Sequence, residues 1–201
     1  MATQTPLTGS ARERLLAAAG ELFYAEGVNT VGIDRVIERA GVAKASLYKV
    51  FGSKDELIWA YLMARHEATK QRMARELARY DTPRGRLLGV FEVQGETFAE
   101  PGFRGCAFVN ASAEANPGSR IQAAADHYRE WVRELFEGLA TDAGAADPVA
   151  LARQLVLLYD GAGISARMDR DPAAAEVSRA IAAALVDAAL GAAAPPGSPP
   201  G

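Results

Sequence analysis

The sequence predicts an all-α chain, with an N-terminal three-helix helix-turn-helix domain followed by a larger helical domain. Three observations predict it. Ala, Leu, Glu and Arg dominate, residues that favour helix, and alternating β-branched runs are nearly absent. Apolar residues recur at helical spacing through most of the chain. Breaks between these stretches fall at Gly, Pro, Asn and Asp. The 201 residues are enough for one generous domain or two small ones that share a core.

The first helix is expected over about Ala11 to Ala25, with Leu15, Ala18, Leu22 and Phe23 on one face and Gly27 ending it. A short helix from Ile33 to Ala40 follows, with Ile33, Val36, Ile37 and Ala40 inward, and Gly41 breaks it. A third, from Lys44 to about Val50, buries Leu47 and Phe51, with Val42 just before it. Ser53 to Glu56 reads as a capping box: the serine oxygen accepts a free amide and the glutamate returns to the serine amide. The fourth helix is long, with Leu57, Ile58, Tyr61, Leu62, Met73 and Leu77 on its apolar stripe to about Tyr80. Asp81-Thr82-Pro83 stops it and opens a fifth, with Pro83 in the first turn, to about Glu100, and a short apolar helix covers about Cys106 to Ala115. Ser119 with Gln122 is a second capping box, opening a helix to about Ala140. Asp147-Pro148 opens the next, to about Met168, and Asp171-Pro172 opens the last, to about Gly191. The expected organisation is a disordered arm over 1–10, the helix-turn-helix domain over 11–52, the helical body over 53–191 and a disordered Pro- and Gly-rich tail over 192–201.

Bulk composition narrows function only by exclusion. A net charge of −3 gives no argument for nucleic acid from the whole chain. Between Val28 and Lys54, however, Arg35, Arg39, Lys44, Lys49 and Lys54 face only Asp34 and Glu38, and Arg39 and Glu38 are expected to be solvated. Cys106 is the single cysteine, so no disulfide forms within one chain. No apolar run reaches the roughly 18–20 residues of a membrane span, and residues Met1 to Ser10 lack the pattern of a signal peptide. A cytoplasmic protein with no membrane partner is expected. A phosphate-binding glycine loop, a metal cluster and a nucleophile with a base at a recognisable spacing are not found, so no catalysis, metal or cofactor is expected.

Two short helices around Gly41 are the skeleton of a helix-turn-helix. Ile33, Val36, Ile37, Val42, Leu47 and Phe51 would lock the second helix to the first. Lys44, Ala45, Ser46 and Lys49 leave its outer face short, polar or basic, as insertion into a major groove about 12 Å wide requires. Tyr48 and Phe51 are each open to a plain core role as well.

The stretch from Gly27 to Leu57 resembles the N-terminal domain of the TetR family of bacterial regulators. The matching residues are Gly27, Ile33, Asp34, Val36, Ala40-Gly41-Val42, Leu47-Tyr48, Phe51, Lys54 and Leu57. The run from Gly105 to Ala111 resembles a segment in one branch of that family. The resemblance implies operator DNA as partner and a repressor released by a small-molecule effector. It implies that Lys44, Ala45, Ser46 and Lys49 face base edges or nearby phosphates, that Tyr48 and Lys54 bind phosphate, and that Thr30 and Arg35 touch the opposite backbone. Ala43 departs from the family, which often has Ser or Thr there to cap the recognition helix, a bond worth about 1 kcal/mol.

The resemblance also implies a body that forms a homodimer and encloses an effector. Apolar faces on about residues 148–168 (Leu151, Leu155, Leu158, Tyr159) and 172–191 (Ile181, Leu185, Val186, Leu190) fit a four-helix bundle between copies, with an intramolecular core as the alternative. Two-fold symmetry would call for a near-palindromic operator. Aromatics gather mid-chain, at Phe91, Phe98, Phe103, Phe108, Tyr128, Trp131 and Tyr159. Phe98, Phe103, Trp131 and Tyr159, with His66, Cys106, Asn110 and His127 as polar groups, are the candidate effector-binding set. His66 falls on an apolar stripe, where a buried core histidine is the ordinary outcome, and His66 with His127 lacks the third ligand a metal needs.

Overall fold

The structure, a computed structural model, describes residues 7–191. Among the described residues there are nine α-helices and no strand: α1 (Ala11–Glu26), α2 (Ile33–Ala40), α3 (Lys44–Phe51), α4 (Lys54–Leu77), α5 (Pro83–Phe98), α6 (Ala107–Ala113), α7 (Arg120–Asp142), α8 (Pro148–Asp169) and α9 (Ala174–Gly191). Most ends fall where the caps place them. Thr82 Oγ1 accepts from the Gly85 amide at 3.0 Å and Asp147 Oδ1 from the Ala150 amide at 2.9 Å, starting α5 and α8. Helix α9 begins two residues later than expected, because Asp171 closes a turn onto the Ala173 amide (2.9 Å) before the helix can start.

The expected arm over 1–10 is corrected at its inner end. Ser10 makes a full capping box with Glu13, and Leu7 packs against the core. Residues 1–6 and the expected tail over 192–201 lie outside the described residues.

The chain forms two compact units. The first comprises the described residues up to Ala68 together with Cys106–Tyr128. Its core joins Leu15, Phe23, Val36 and Leu47 of the first three helices to Leu57, Ile58 and Leu62 of α4, Phe108 and Ala111 of α6, and Ile121 of α7. The sequence places a boundary near residue 52, but here three short helices share one apolar cluster with α6.

The second unit comprises Thr69–Gly105 and the described residues from Arg129 onward. Phe91 of α5 and Phe136 of α7 are fully buried, and Tyr159 of α8 meets both edge-on at 6.3 and 5.8 Å. Helices α5 and α9 are clamped by ion pairs: Arg84 grips Asp187 through two bonds of 2.6 and 2.8 Å, and Arg179 Nε meets Glu92 at 2.5 Å. Tyr80 donates its hydroxyl to the other Glu92 oxygen at 2.6 Å.

This clamp sets a pH window. Burial first, then the bond to Glu92, pushes the Tyr80 hydroxyl up to about 12. The Tyr80 bond, helped by Arg179 and opposed by burial, holds the Glu92 carboxyl below its ordinary 4.5. A lowered carboxyl stabilises the fold above 4.5, and that contribution is lost as pH falls through the lowered value. A raised tyrosine stabilises below 10, and that contribution is lost as pH climbs toward 12. We expect Glu92→Gln to lower the melting temperature at neutral pH and to narrow its gap to wild type at both extremes, read by circular dichroism. A constant gap across pH would refute the clamp.

Candidate functional site

Gly41 is the residue that lets α2 and α3 meet. It sits in the left-handed region at φ 62° and ψ 43°, where side chains with a Cβ are disfavoured. Its amide donates to Glu38 O at 3.1 Å and the Val42 amide to Ile37 O at 3.2 Å, which closes α2 in a Schellman turn. Arg14 Nη1 reaches the Gly41 carbonyl at 3.3 Å, bracing the turn from α1. Val36 and Leu47 are fully buried, so α3 is locked by its inner face.

The outer face of α3 is open. Lys44, Ala45 and Lys49 are exposed, Ser46 is half-buried, and Tyr48 stands 46% exposed, so it is not a core aromatic. Phe51 is half-buried against the core. Ala43 is the N-cap and supplies no side-chain bond. Lys44 instead pairs with Asp34 across the turn at 3.0 Å, and that bond raises the lysine above its ordinary value.

The other expected contacts surround this face. Thr30 is exposed in the α1–α2 loop. Arg35 is exposed but grips Glu26 through bonds of 2.5 and 2.8 Å. Lys54 opens α4 with its Nζ 3.5 Å from Asn29 O. Ser53 Oγ accepts from the Glu56 amide at 3.1 Å, as a cap should. The Glu56 carboxylate pairs with Arg120 at 2.9 Å, whose guanidinium lies over Trp59. Arg39 corrects the sequence expectation: its side chain is only 14% exposed and it pairs with Glu21. Gln122 likewise reaches back to the Gly118 amide at 2.8 Å while its own amide is capped by Ser119 Oγ at 3.2 Å.

The candidate effector residues divide between the units. In the first, His66 is buried and packs edge-on to His127 (5.2 Å), Tyr128 (5.6 Å) and Phe108 (6.3 Å), while Phe108 and Tyr128 stack at 3.9 Å. His127 is exposed and Cys106 half-buried. Asn110 lines a void of about 10 Å³ with Phe23, Tyr61 and Glu114, about the size of one water. In the second unit, Phe98 packs on Phe103 at 5.2 Å with Ala162 and Ala166. Tyr159 joins Phe91 and Phe136, and Trp131 is half-buried on α7. The mid-chain aromatics therefore serve separate clusters rather than one.

Sequence reasoning missed Gln94. It is buried on α5, and its Nε2 donates to Tyr159 O at 2.8 Å. A polar residue among apolar ones on an inward face was the available signal. No group of three or more metal-ligating side chains occurs among the described residues.

The faces offered for dimerisation also need correction. Leu151, Leu155 and Val186 are buried within the chain, against α5 and the facing helix. The open apolar face of α8 carries Leu157, Ile164 and Met168, and that of α9 carries Val177 and Ile181. Of the residues expected there, Ile181 is exposed.

Comparison with known proteins decides the family. Residues 15–61 match the model of bacterial regulatory proteins of the tetR family. A TetR-family transcriptional regulator of Streptomyces coelicolor is 35% identical, superposes with a TM-score of 0.80, and the match covers 91% of this chain and 95% of that one. The chain belongs to the TetR family. This TetR-family chain is also 27% identical over 169 residues to the transcriptional repressor NemR of Escherichia coli, covering 79% of its own length and 85% of NemR. The crystal structure of reduced E. coli NemR superposes with a TM-score of 0.77 at 26% identity, over 86% of this chain and 94% of that one. The transcriptional activator FasR of Mycolicibacterium smegmatis is 47% identical, but over 51 residues that span 25% of this chain and 23% of FasR. The family-matching chain is thus a DNA-binding transcriptional regulator, and its relatives are regulators rather than enzymes. None of its described helices is long and apolar enough to cross a membrane.

Proposed function

We propose that this regulator is a repressor that binds a near-palindromic operator as a homodimer and is released by a small-molecule effector. The observation that carries the DNA-binding half is α3: a helix locked by buried Leu47 whose outer face leaves Lys44, Ala45, Tyr48 and Lys49 exposed. Lys44, Ala45, Ser46 and Lys49 meet base edges or flanking phosphates, and Tyr48, Lys54, Thr30 and Arg35 meet the backbone. Arg35 must exchange its Glu26 pair for phosphate, an exchange that costs little because the pair is exposed. The similarity to NemR, a repressor over most of its length, supports repression.

The homodimer is supported by the exposed apolar residues of α8 and α9. Leu157, Ile164 and Met168 share one face of α8 with Gly161, where an added Cβ would meet nothing within 4 Å, so a second helix can approach closely. The effector acts through α4, which begins at Lys54 and continues unbroken to Leu77. It binds the DNA-incompetent state better, by a coupling of about 1–3 kcal/mol. His66, Cys106, Asn110 and His127 of the first unit and Phe98, Phe103, Trp131 and Tyr159 of the second form two separate sets of proposed contacts. Catalysis forms no part of this reading, and the proposed site of action is the cytoplasm.

The test is a selection from random duplex DNA followed by salt titration. A palindrome is expected. On it, Lys54→Ala should weaken binding evenly across sequences and reduce the slope of log affinity against log salt by about 1. A selection that returned no palindrome, or an unchanged slope, would count against the reading.

A further inference from the structure

The DNA-facing loop between α1 and α2 is held by a residue far along the chain. Glu114, at the end of α6, accepts a hydrogen bond from the Asn29 amide on its Oε2 at 2.8 Å. Asn29 returns the contact, donating its Nδ2 to the Glu114 carbonyl at 2.8 Å. The two residues stand 85 positions apart in sequence. Gly27 makes room for the carboxylate: a Cβ there would lie 2.7 Å from Glu114 Oε1, and the backbone sits at φ 98°. On its other side Asn29 offers its carbonyl to Lys54 Nζ at 3.5 Å. One loop residue is thus tied to α6 by two bonds and faces the lysine at the start of α4.

We infer that Glu114 is a positioning residue for DNA binding, fixing the Gly27–Gly32 loop so that Thr30 and Lys54 are preset for phosphate. The inference rests on the DNA-binding reading above. It makes a prediction opposite in sign to simple electrostatics. An acid near phosphate-binding groups repels DNA, so on charge alone its removal should tighten binding. If the carboxylate works by holding the loop, removal should loosen binding, and an uncharged side chain with a carbonyl oxygen in the same place should restore it.

Two measurements test this on the full chain. Hydrogen exchange of the Gly27–Gly32 amides in the free protein should speed up by about tenfold in Glu114→Ala and stay near wild type in Glu114→Gln. Affinity for the selected duplex should fall by on the order of tenfold in Glu114→Ala and be largely restored in Glu114→Gln. In a Lys54→Ala background, Glu114→Ala should cost clearly less than it does alone, because part of its effect passes through that lysine. Should Glu114→Ala fail to fold, Asn29→Ala, which removes only the side-chain bond, should still speed exchange and weaken binding. Unchanged exchange, or tighter binding in both Glu114 variants, would overturn the inference. Faster exchange in a protein whose wild type binds no duplex would instead sink the DNA-binding reading and leave the loop contact standing.

Discussion

Replacing Leu157 by Arg is expected to turn the protein into monomers and to weaken operator binding by roughly 10²–10⁴-fold, the gain that linking two half-site contacts supplies. Leu157 is 74% exposed within the chain, so the substitution removes almost nothing from its own core. Its neighbours on that face of α8 are Ile164 and Met168, themselves 49% and 75% exposed. Burying a guanidinium in such an apolar patch requires its desolvation without a partner, which a dimer interface tolerates poorly. Sedimentation should show the loss of dimer, gel shifts the loss of affinity, and circular dichroism an unchanged helical signal. A Leu157→Arg protein that stayed dimeric and bound its duplex normally would place the interface elsewhere.

Phe136→Ala should be the most damaging single truncation for stability, at about 3–5 kcal/mol. Phe136 is fully buried, 5.8 Å from the rings of both Phe91 and Tyr159. Its removal loses the transfer energy of a large ring and leaves a cavity that two rigid aromatics cannot refill. Denaturant unfolding followed by circular dichroism reads the effect, with Tyr48→Ala as the contrast, since Tyr48 is exposed and should cost little. A loss below about 1 kcal/mol would mean that the second unit collapses around the gap.

Helix positions were legible because their causes are local. The 3.6-residue period, Gly41 in a left-handed turn, and the caps at Thr82 and Asp147 each act within a few residues, and the helices begin and end there. The α9 start was missed because Asp171 caps a turn rather than the helix, and both outcomes fit the same residues. The outer face of α3 was legible for the same reason as the helices: once Leu47 points inward, Ala45 and Lys49, two residues to either side of it, must point out.

Other features depended on what packs against each helix, which periodicity does not reveal. Leu151 and Leu155 looked like a surface for a second chain and are covered by the chain's own helices, whereas Leu157 and Met168 are open. Arg39 looked solvated until α1 brought Glu21 to it. The aromatics looked like one cluster, and packing dealt them to separate ones.

The amino-acid order by itself determined the helical class, the turn at Gly41, the basic outer face of α3 and the family resemblance, because each is written in residues that lie close together in the chain. Only the tertiary structure decided that Glu114 holds Asn29, which helix faces stay uncovered and how the core is shared by α6 and the first three helices. Those outcomes hinge on side chains that meet across many tens of positions, and such meetings are set by how whole helices pack.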